Sequence, residues 1–263
     1  MRPGAHVGSS LVGWPLQPEL VSALAAGGDD LVVHYQVKAV GCLHADEDGT
    51  GSVSPGGTVG RLDDLSGNAH HAGQATSGAR PLLSDTGGPG GDALELVFST
   101  GAGAKWLFSD DVTTPGDGTL VVVGAATGVG GLVAHHSTEG GGFKGDYFYN
   151  PNEAMGYRGN YPNASTGDLP FTPTSGTYYV WAVVVVPGEA DTKSNYVDGV
   201  FVASADSDVG ADPLVGPMVL GALNASGEYP GNVKILEVRR YNRALSAGEI
   251  ATLSTELATE HNL

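Results

Sequence analysis

The chain has 263 residues, of which 41% are hydrophobic and 16% charged, so it carries enough apolar material for a packed core and no compositional sign of general disorder. Its formal net charge of -17 would repel phosphate backbones and anionic lipids, which argues against a nucleic-acid partner. The single cysteine, Cys42, excludes an intrachain disulfide, so the stability of the fold must come from packing.

The first 28 residues are predicted to form an arm outside a single domain that spans residues 29–263. Within the arm, Pro18 opens and Gly27 closes a short predicted helix with one apolar face. That face is expected either to lie on the chain's own domain or to dock on a neighbouring subunit. The residues expected to anchor the arm are Leu11, Trp14, Leu20 and Leu24. The arm lacks the charged start and apolar run of a secretory signal, and no apolar run reaches bilayer length, so we expect no membrane insertion.

From residue 31 onward the pattern is that of short β-strands. β-branched and aromatic stretches are interrupted by clusters of Gly, Pro, Asp and Asn, and 42 glycines and 15 prolines without a collagen period supply the turns. Because no helical segment separates the strands, antiparallel sheets are favoured over alternating βαβ units. The predicted strands are residues 31–37, 94–98, 106–108, 119–125, 132–135, 146–149, 177–186, 195–197, 200–203, 218–220 and 232–241.

Two local signals fix the ends of elements. Asp198-Gly199 separates two short strands, and this dipeptide favours the positive φ angles of a two-residue hairpin turn. Ser246 and Glu249 have the spacing of a capping box, and apolar residues recur at helical spacing behind them. The sequence therefore predicts a tight hairpin and a C-terminal helix over residues 247–260.

Four separated segments carry a family resemblance. They are residues 62–76 with Ala79-Arg80-Pro81, residues 94–98, residues 194–203, and residues 231–246 with Glu249-Ile250 behind them. These segments resemble the laminin-G-like (concanavalin A-like) jelly-roll superfamily, and together they span roughly residues 31–260. The resemblance implies an all-β fold: a two-sheet antiparallel β-sandwich with an N-terminal arm and a short C-terminal helix.

The same resemblance bears on function. Members of the superfamily bind glycans or proteins, sometimes through calcium, or serve as passive modules, and the fold does not choose among these roles. Domains with this Ser-Gly-Asn segment and this final Tyr-Asn-Arg-Ala-Leu-Ser segment are similar to those of bacterial surface proteins and of tailed-phage virion proteins. Since the chain lacks a secretory signal, we expect it in the second group.

The sequence predicts no catalysis. Some jelly-roll relatives hydrolyse glycans with paired carboxylates on one strand, but the Glu-x-Asp-x-x-Glu pattern is absent, and Glu95 and Glu237 are interpreted as lone solvent-facing residues. There is no Gly-x-Ser-x-Gly elbow and no phosphate-binding Gly-x-x-x-x-Gly-Lys loop. The pairs His70-His71 and His135-His136 lack the spacing of zinc ligands and are interpreted as surface or loop residues.

One metal site is proposed from the sequence, and no other cofactor is expected. Asp63, Asp64 and Asn68 cluster in one predicted loop, and calcium takes carboxylate and carbonyl oxygens together. The alternative is a turn in which these side chains bond their own backbone.

The segment from Phe143 to Tyr161 contains six aromatic residues, which makes it the main candidate for ligand contact. Tyrosine rings stack on sugar faces while amides and guanidinium groups bond hydroxyls. The candidate ligand-binding residues are Tyr147, Tyr149, Asn152, Tyr157, Arg158 and Tyr161. Core packing, a protein interface and a glycan site remain alternatives for this segment.

The leading functional hypothesis is a non-enzymatic structural or accessory protein of a phage virion, either a head decoration or a tail-fibre component. In that setting the arm would anchor the domain to other virion proteins or to further copies of the chain, and contact of the jelly roll with host glycans is compatible with this role. The alternative is a free or secreted, extracellular carbohydrate-binding module of lectin type, and an enzyme is the third hypothesis.

Overall fold

The chain folds into two antiparallel sheets that face each other across a shared core. In this computed structural model, the residues that the structure describes are 30–39, 41–89, 95–100, 103–137, 143–150, 160–161, 171–186, 193–205 and 213–263. The predicted arm, with Leu11, Trp14, Leu20 and Leu24, lies outside them.

The first sheet has eight strands in the described residues, in the order β14-β13-β12-β8-β16-β6-β5, with β1 also paired to β16. The strands of this sheet are β1 (Leu31–Gln36), β5 (Leu82–Ser84), β6 (Glu95–Phe98), β8 (Gly118–Ala126), β12 (Tyr178–Val185), β13 (Lys193–Val197), β14 (Val200–Ala205) and β16 (Val233–Tyr241). Strand β16 is central, since β8 pairs along one side of it while β1 and β6 share the other.

The second sheet also has eight described strands, in the order β11-β10-β9-β15-β7-β4-β3-β2. The strands of this sheet are β2 (Leu43–His44), β3 (Arg61–Leu62), β4 (Ala72–Gly73), β7 (Leu107–Thr114), β9 (Gly130–Ser137), β10 (Phe143–Asn150), β11 (Asn160–Tyr161) and β15 (Leu214–Leu220). Strands β10 and β11, which carry the described part of the predicted aromatic segment, therefore lie at the opposite end of this sheet from the short strands β2 to β4.

Strands β8 and β12 show why their sequences are apolar without alternation. Leu120 and Val122 of β8 belong to the core between the sheets, whereas Val121 and Val123 belong to a second apolar cluster on the outer face. Successive strand residues face opposite sides, so a continuously apolar strand must be covered on both faces. Here the outer cover is the C-terminal helix.

Helix α1 (Ala247–His261) supplies that cover with Ile250, Leu253 and Leu257, each 1% exposed. The predicted capping box is present: the Ser246 hydroxyl accepts a hydrogen bond from the Glu249 amide, and the Glu249 carboxylate accepts one from the Ser246 amide. The helix, predicted over residues 247–260, is thereby confirmed. None of the helices in the described residues is both long and apolar enough to span a bilayer.

The predicted hairpin at Asp198-Gly199 is confirmed as well, with positive φ angles of 49° and 79° at its two central residues. Glycine is required here because a Cβ at Gly199 would lie 3.1 Å from the Cα of Ala251 on α1. The hairpin therefore fits against the helix.

The all-β sandwich predicted from the sequence is confirmed, with differences in strand length. Strand β7 extends to Thr114, well beyond the predicted end at residue 108. The exposed Asp110 and Asp111, beside a shift in register against β15, interrupt the apolar pattern of the sequence. The strand nevertheless continues, with Val112 and Thr114 buried. The strands of two or three residues were not predicted, since they are too short to show a period.

Candidate functional site

A buried aspartate organises the loop that follows β3. The carboxylate of Asp64, 8% exposed, accepts hydrogen bonds from the His34, Ser66 and His70 amides at 2.8, 3.0 and 3.1 Å and from the Ser66 hydroxyl at 2.7 Å. The Tyr35 hydroxyl donates to the carbonyl of His70. The loop is therefore tied both to itself and to strand β1.

The Ser-Gly-Asn segment continues this attachment. The Asn68 side-chain amide donates to the carbonyls of Leu31 and Val32 at 3.1 and 3.0 Å, and the Ser66 hydroxyl lies 2.9 Å from the same Val32 carbonyl. Gly67 adopts a φ of 92°, which a side chain would strain. We call residues 64–70 the β1 brace, because several of their polar groups fasten the loop to that strand.

Beside the β1 brace lies a cleft with a volume of about 300 Å³. Strands β3, β4 and β7 and the loops between β2 and β4 form it. Its lining residues are Glu47, Arg61, Ala69, His71, Gly73, Phe108, Ser109 and Asp110. The cleft combines one aromatic ring with two carboxylates, a guanidinium and an imidazole, and polar groups that converge around an apolar surface are typical of small-molecule sites.

The guanidinium of the cleft is held by an aspartate behind it. Arg61 donates through Nε to Asp63 Oδ1 at 2.8 Å, and His44 Nε2 lies 2.8 Å from Asp63 Oδ2. Partial burial alone would raise the pKa of Asp63, but the hydrogen bonds from His44 and Arg61 and their charges outweigh it and lower the pKa. Asp63 thus stays ionised and positions Arg61.

The imidazole of the cleft presents a donor. The Asp64 amide donates to His71 Nδ1 at 3.1 Å, and Asp63 Oδ1 lies 3.1 Å from the same nitrogen. If Nδ1 accepts from the amide, the neutral ring carries its proton on Nε2, and in the imidazolium both nitrogens carry one. In either state Nε2 is a hydrogen-bond donor.

The two carboxylates and the ring complete the lining. Glu47 folds over β4, where a Cβ at Gly73 would lie 3.0 Å from Glu47 Cγ, so glycine at this position makes room for the acid. Gly73 pairs with Phe108 of β7, and Phe108 is half-buried against an apolar cluster on the outer face of the second sheet. Asp110, with 68% of its side chain exposed, lies 2.9 Å from Nδ1 of His70.

Three of the ligand-binding residues predicted from the sequence lie on strands that do not line this cleft. Tyr147 and Tyr149 fall on β10 and Tyr161 on β11, where Tyr161 pairs with Phe143, whereas Asn152, Tyr157 and Arg158 lie outside the described residues. Phe148, between the first two tyrosines, is 1% exposed, and its ring centroid lies 6.3 Å from that of Trp181. Core packing therefore accounts for Phe148, and the glycan interpretation of the segment stays a prediction.

Of the predicted calcium ligands, Asp64 makes the contacts of the alternative, a turn bonded to its own backbone, since it accepts from the Ser66 and His70 amides. Asp63 instead pairs with the side chains of Arg61 and His44, and Asn68 bonds carbonyls of β1. The calcium interpretation stays a prediction. Within the described residues, one group of three acidic or histidine side chains has ligand atoms within 4.8 Å of one another, namely Glu237, Glu260 and His261. Their oxygens already accept from Gln36 and Arg239, so the group is an ion-pair network.

Three sequence interpretations are wrong. Glu95 and Glu237, expected to face solvent, are each 1% exposed, and His135, expected on the surface or in a loop, is fully buried with Nε2 3.1 Å from the Val112 carbonyl. Glu95 pairs with Lys234 at 3.0 Å, and the other carboxylate is covered by β1 and the end of α1. These residues are buried because elements from distant parts of the chain cover them, which the local sequence does not show.

Two facing antiparallel sheets of this kind form a jelly-roll β-sandwich. Residues 113–251 match the profile of the Concanavalin A-like lectin/glucanases superfamily. The chain belongs to this superfamily. A comparison with curated proteins gave no match.

Several solved structures share the fold at low sequence identity. The Trypanosoma rangeli sialidase in complex with sialic acid is 17% identical with a TM-score of 0.52, over 88% of this chain and 33% of the sialidase, so this chain spans about a third of that enzyme. Domain 4 of AbnA, a GH43 extracellular arabinanase from Geobacillus stearothermophilus, in complex with arabinotriose, is 15% identical with a TM-score of 0.54, over 86% and 98% of the two chains. The binding domain of Paraclostridial Mosquitocidal Protein 1 is 12% identical with a TM-score of 0.53, over 88% and 53%.

Proposed function

We propose that this chain is a carbohydrate-binding module whose site is the cleft lined by Arg61, His71 and Phe108. The observation that carries the proposal is the composition of that cleft, in which a half-buried aromatic ring adjoins charged and polar groups on both sides. An aromatic ring offers a flat apolar surface to a sugar face, while carboxylates accept and guanidinium and imidazole donate hydrogen bonds to hydroxyls.

The setting of the cleft supports the proposal. Arg61 is fixed by an ionised Asp63, and the loop that carries His71 is fastened to β1 by the β1 brace, so the binding groups are held in place before a ligand arrives. Preorganised groups lose less conformational entropy on binding. The structurally similar arabinanase domain was solved with arabinotriose, which is consistent with sugar binding on this fold.

We propose further that the module binds without cleaving. A glycosidase needs one carboxylic acid whose pKa is raised so that it can protonate the leaving group. Asp63, next to the cleft, does not meet this requirement, because hydrogen bonds from His44 and Arg61 lower its pKa. Incubating the protein with a glycan that it binds should leave the glycan intact, as measured by chromatography, and released sugar would refute this part of the proposal.

The central test is Phe108→Ala. Loss of the stacking surface should weaken glycan binding by about tenfold or more, measured by titration calorimetry with a glycan identified on an array. Phe201→Ala is the matched control, because Phe201 is 53% exposed on edge strand β14 of the first sheet. The control should bind normally. Binding that survives Phe108→Ala but is lost in Tyr157→Ala would move the site to the aromatic segment.

For the biological setting we propose display on a phage virion, with the arm of residues 1–28 as the anchor and multiple copies supplying avidity. The apolar residues of the arm motivate this, since Leu11, Trp14, Leu20 and Leu24 are more than a free tail usually carries. Density-gradient fractionation of the source should place the full chain with intact particles and a chain without residues 1–28 in the soluble fractions. A full chain found in the soluble fractions would favour the free or secreted module instead.

A further inference from the structure

Several polar groups that line the cleft have hydrogen-bonding capacity that no contact within the described protein satisfies. In the described part of the chain, Glu47 makes no hydrogen bond or ion pair, and the terminal nitrogens of Arg61 make no hydrogen bond. His71 Nε2 likewise has no partner in the same part, and it carries a proton in both ring states. Two acceptors, Glu47 and Asp110, and two donors, Arg61 and His71, thus line one small cleft.

The charges of these groups do not balance. The guanidinium of Arg61 is already paired with Asp63, so its charge is largely neutralised behind the cleft. Glu47 and Asp110 are exposed, and among the residues that the structure describes only Asp110 of the two has a partner, the His70 imidazole. The chain as a whole adds a net charge of -17. From these charges we infer a negative potential inside the cleft, where an anionic ligand would meet like charges at short range.

From this arrangement we propose that the cleft selects uncharged sugars, such as hexose or pentose residues, and rejects sugars that carry a carboxylate or sulfate. The inference rests on the proposed glycan-binding function and adds the chemical class of the ligand. Glu47 and Asp110 each accept hydrogen bonds from ligand hydroxyls, Arg61 and His71 donate to ligand oxygens, and Phe108 stacks on the ring. The volume of about 300 Å³ limits the bound portion to a small unit of a longer glycan.

Hydroxyl donors suit ionised acceptors, because hydrogen bonds to a charged partner are shorter and stronger than neutral ones. A ligand carboxylate offers no donor to Glu47 or Asp110, and it would have to compete with Asp63 for the guanidinium. Specificity of this kind arises as much from repulsion of the wrong ligand as from attraction of the right one.

The experiment compares matched glycans on the full chain: a neutral oligosaccharide and the same oligosaccharide with one uronic or sialic acid residue. We expect the acidic glycan to bind at least about tenfold more weakly than the neutral glycan at low salt. This difference in affinity should become smaller as salt is added. Glu47→Gln keeps the size of the side chain and removes its charge, so it should narrow the difference by about threefold or more. Asp85→Asn, which removes an exposed charge next to β5 outside the cleft, should leave the difference unchanged.

The outcomes separate the two proposals. Equal or tighter binding of the acidic glycan, lost in Phe108→Ala, would overturn the selectivity and leave the glycan-binding cleft in place. A preference for neutral glycans that Glu47→Gln and Asp110→Asn together leave unchanged would also overturn it. Failure of both glycan classes to bind, or binding that Phe108→Ala leaves unaltered, would overturn the proposed site and this inference with it.

Discussion

Glu237→Gln is expected to lower the free energy of unfolding by about 3–5 kcal/mol, because it removes one partner of a buried ion-pair network. The carboxylate, 1% exposed, lies 2.9 Å from His34 Nε2, 2.7 Å from His261 Nε2 and 2.6 Å from Arg239 Nε, and 3.1 Å from the Gln36 amide nitrogen. Neutralising it leaves Arg239, His34 and His261 without their charged acceptor. The melting temperature should fall by roughly 6–20 °C.

The loss should depend on pH in a defined direction. Burial would raise the pKa of Glu237, but hydrogen bonds from His261 and His34 and the charge of Arg239 hold it well below the ordinary value of 4.5. A depressed pKa contributes stability that is present in full above 4.5 and is lost as pH falls through the folded-state value. The difference between wild type and Glu237→Gln, measured by urea denaturation, should therefore shrink below pH 4.5.

Glu260→Gln provides the matched control for this network. Its carboxylate lies 3.3 Å from Lys38 and 3.8 Å from Arg239, but 35% of the side chain is exposed. Partly exposed pairs contribute about 1 kcal/mol or less. Equal losses in the two variants would show that burial of Glu237 does not set its contribution.

The network also marks a limit of sequence reasoning. Glu237 stands alone on a strand, and its sequence neighbours predict an outward-facing residue. Its burial comes from His34, 203 positions away on β1, and from His261 at the end of α1. By contrast, β8 and β12 were predicted because their continuous apolar runs are visible in the local sequence. Only the structure shows that alternate residues of these strands pack into two different apolar clusters.

For the candidate site too, some parts were predictable from the sequence and others were visible only in the structure. The loop that carries Asp63, Asp64 and Asn68 was identified from the sequence, but its attachment to strand β1, whose carbonyls Asn68 bonds, was not. The cleft itself was missed because Glu47, Arg61 and Phe108 are far apart in the chain. One local signal was available: Arg61 and Asp63 are two residues apart at a strand, where alternate side chains share a face.

Asp64→Ala should show what the β1 brace contributes. Three backbone amides and the Ser66 hydroxyl lose their acceptor, and each buried donor left unsatisfied costs about 1–3 kcal/mol, so we expect a loss of at least about 3 kcal/mol in the free energy of unfolding. Glycan binding should weaken as well, because the loop that carries His71 is no longer fixed. Asp48→Ala is the matched control: Asp48 accepts from the Thr50 amide and hydroxyl in a similar local turn on the surface, and its loss should leave the melting temperature nearly unchanged.

The same variant decides between the two interpretations of Asp63, Asp64 and Asn68. If the Asp64 oxygens are saturated by protein donors, neither added calcium nor a chelator should change the melting temperature of the wild type. If calcium binds there, it should raise that temperature, because a ligand that binds only the folded state stabilises it, and Asp64→Ala should abolish the increase. Calcium bound there would also add positive charge beside the cleft. It would compete with Arg61 for the Asp63 carboxylate, and the freed guanidinium would favour acidic sugars.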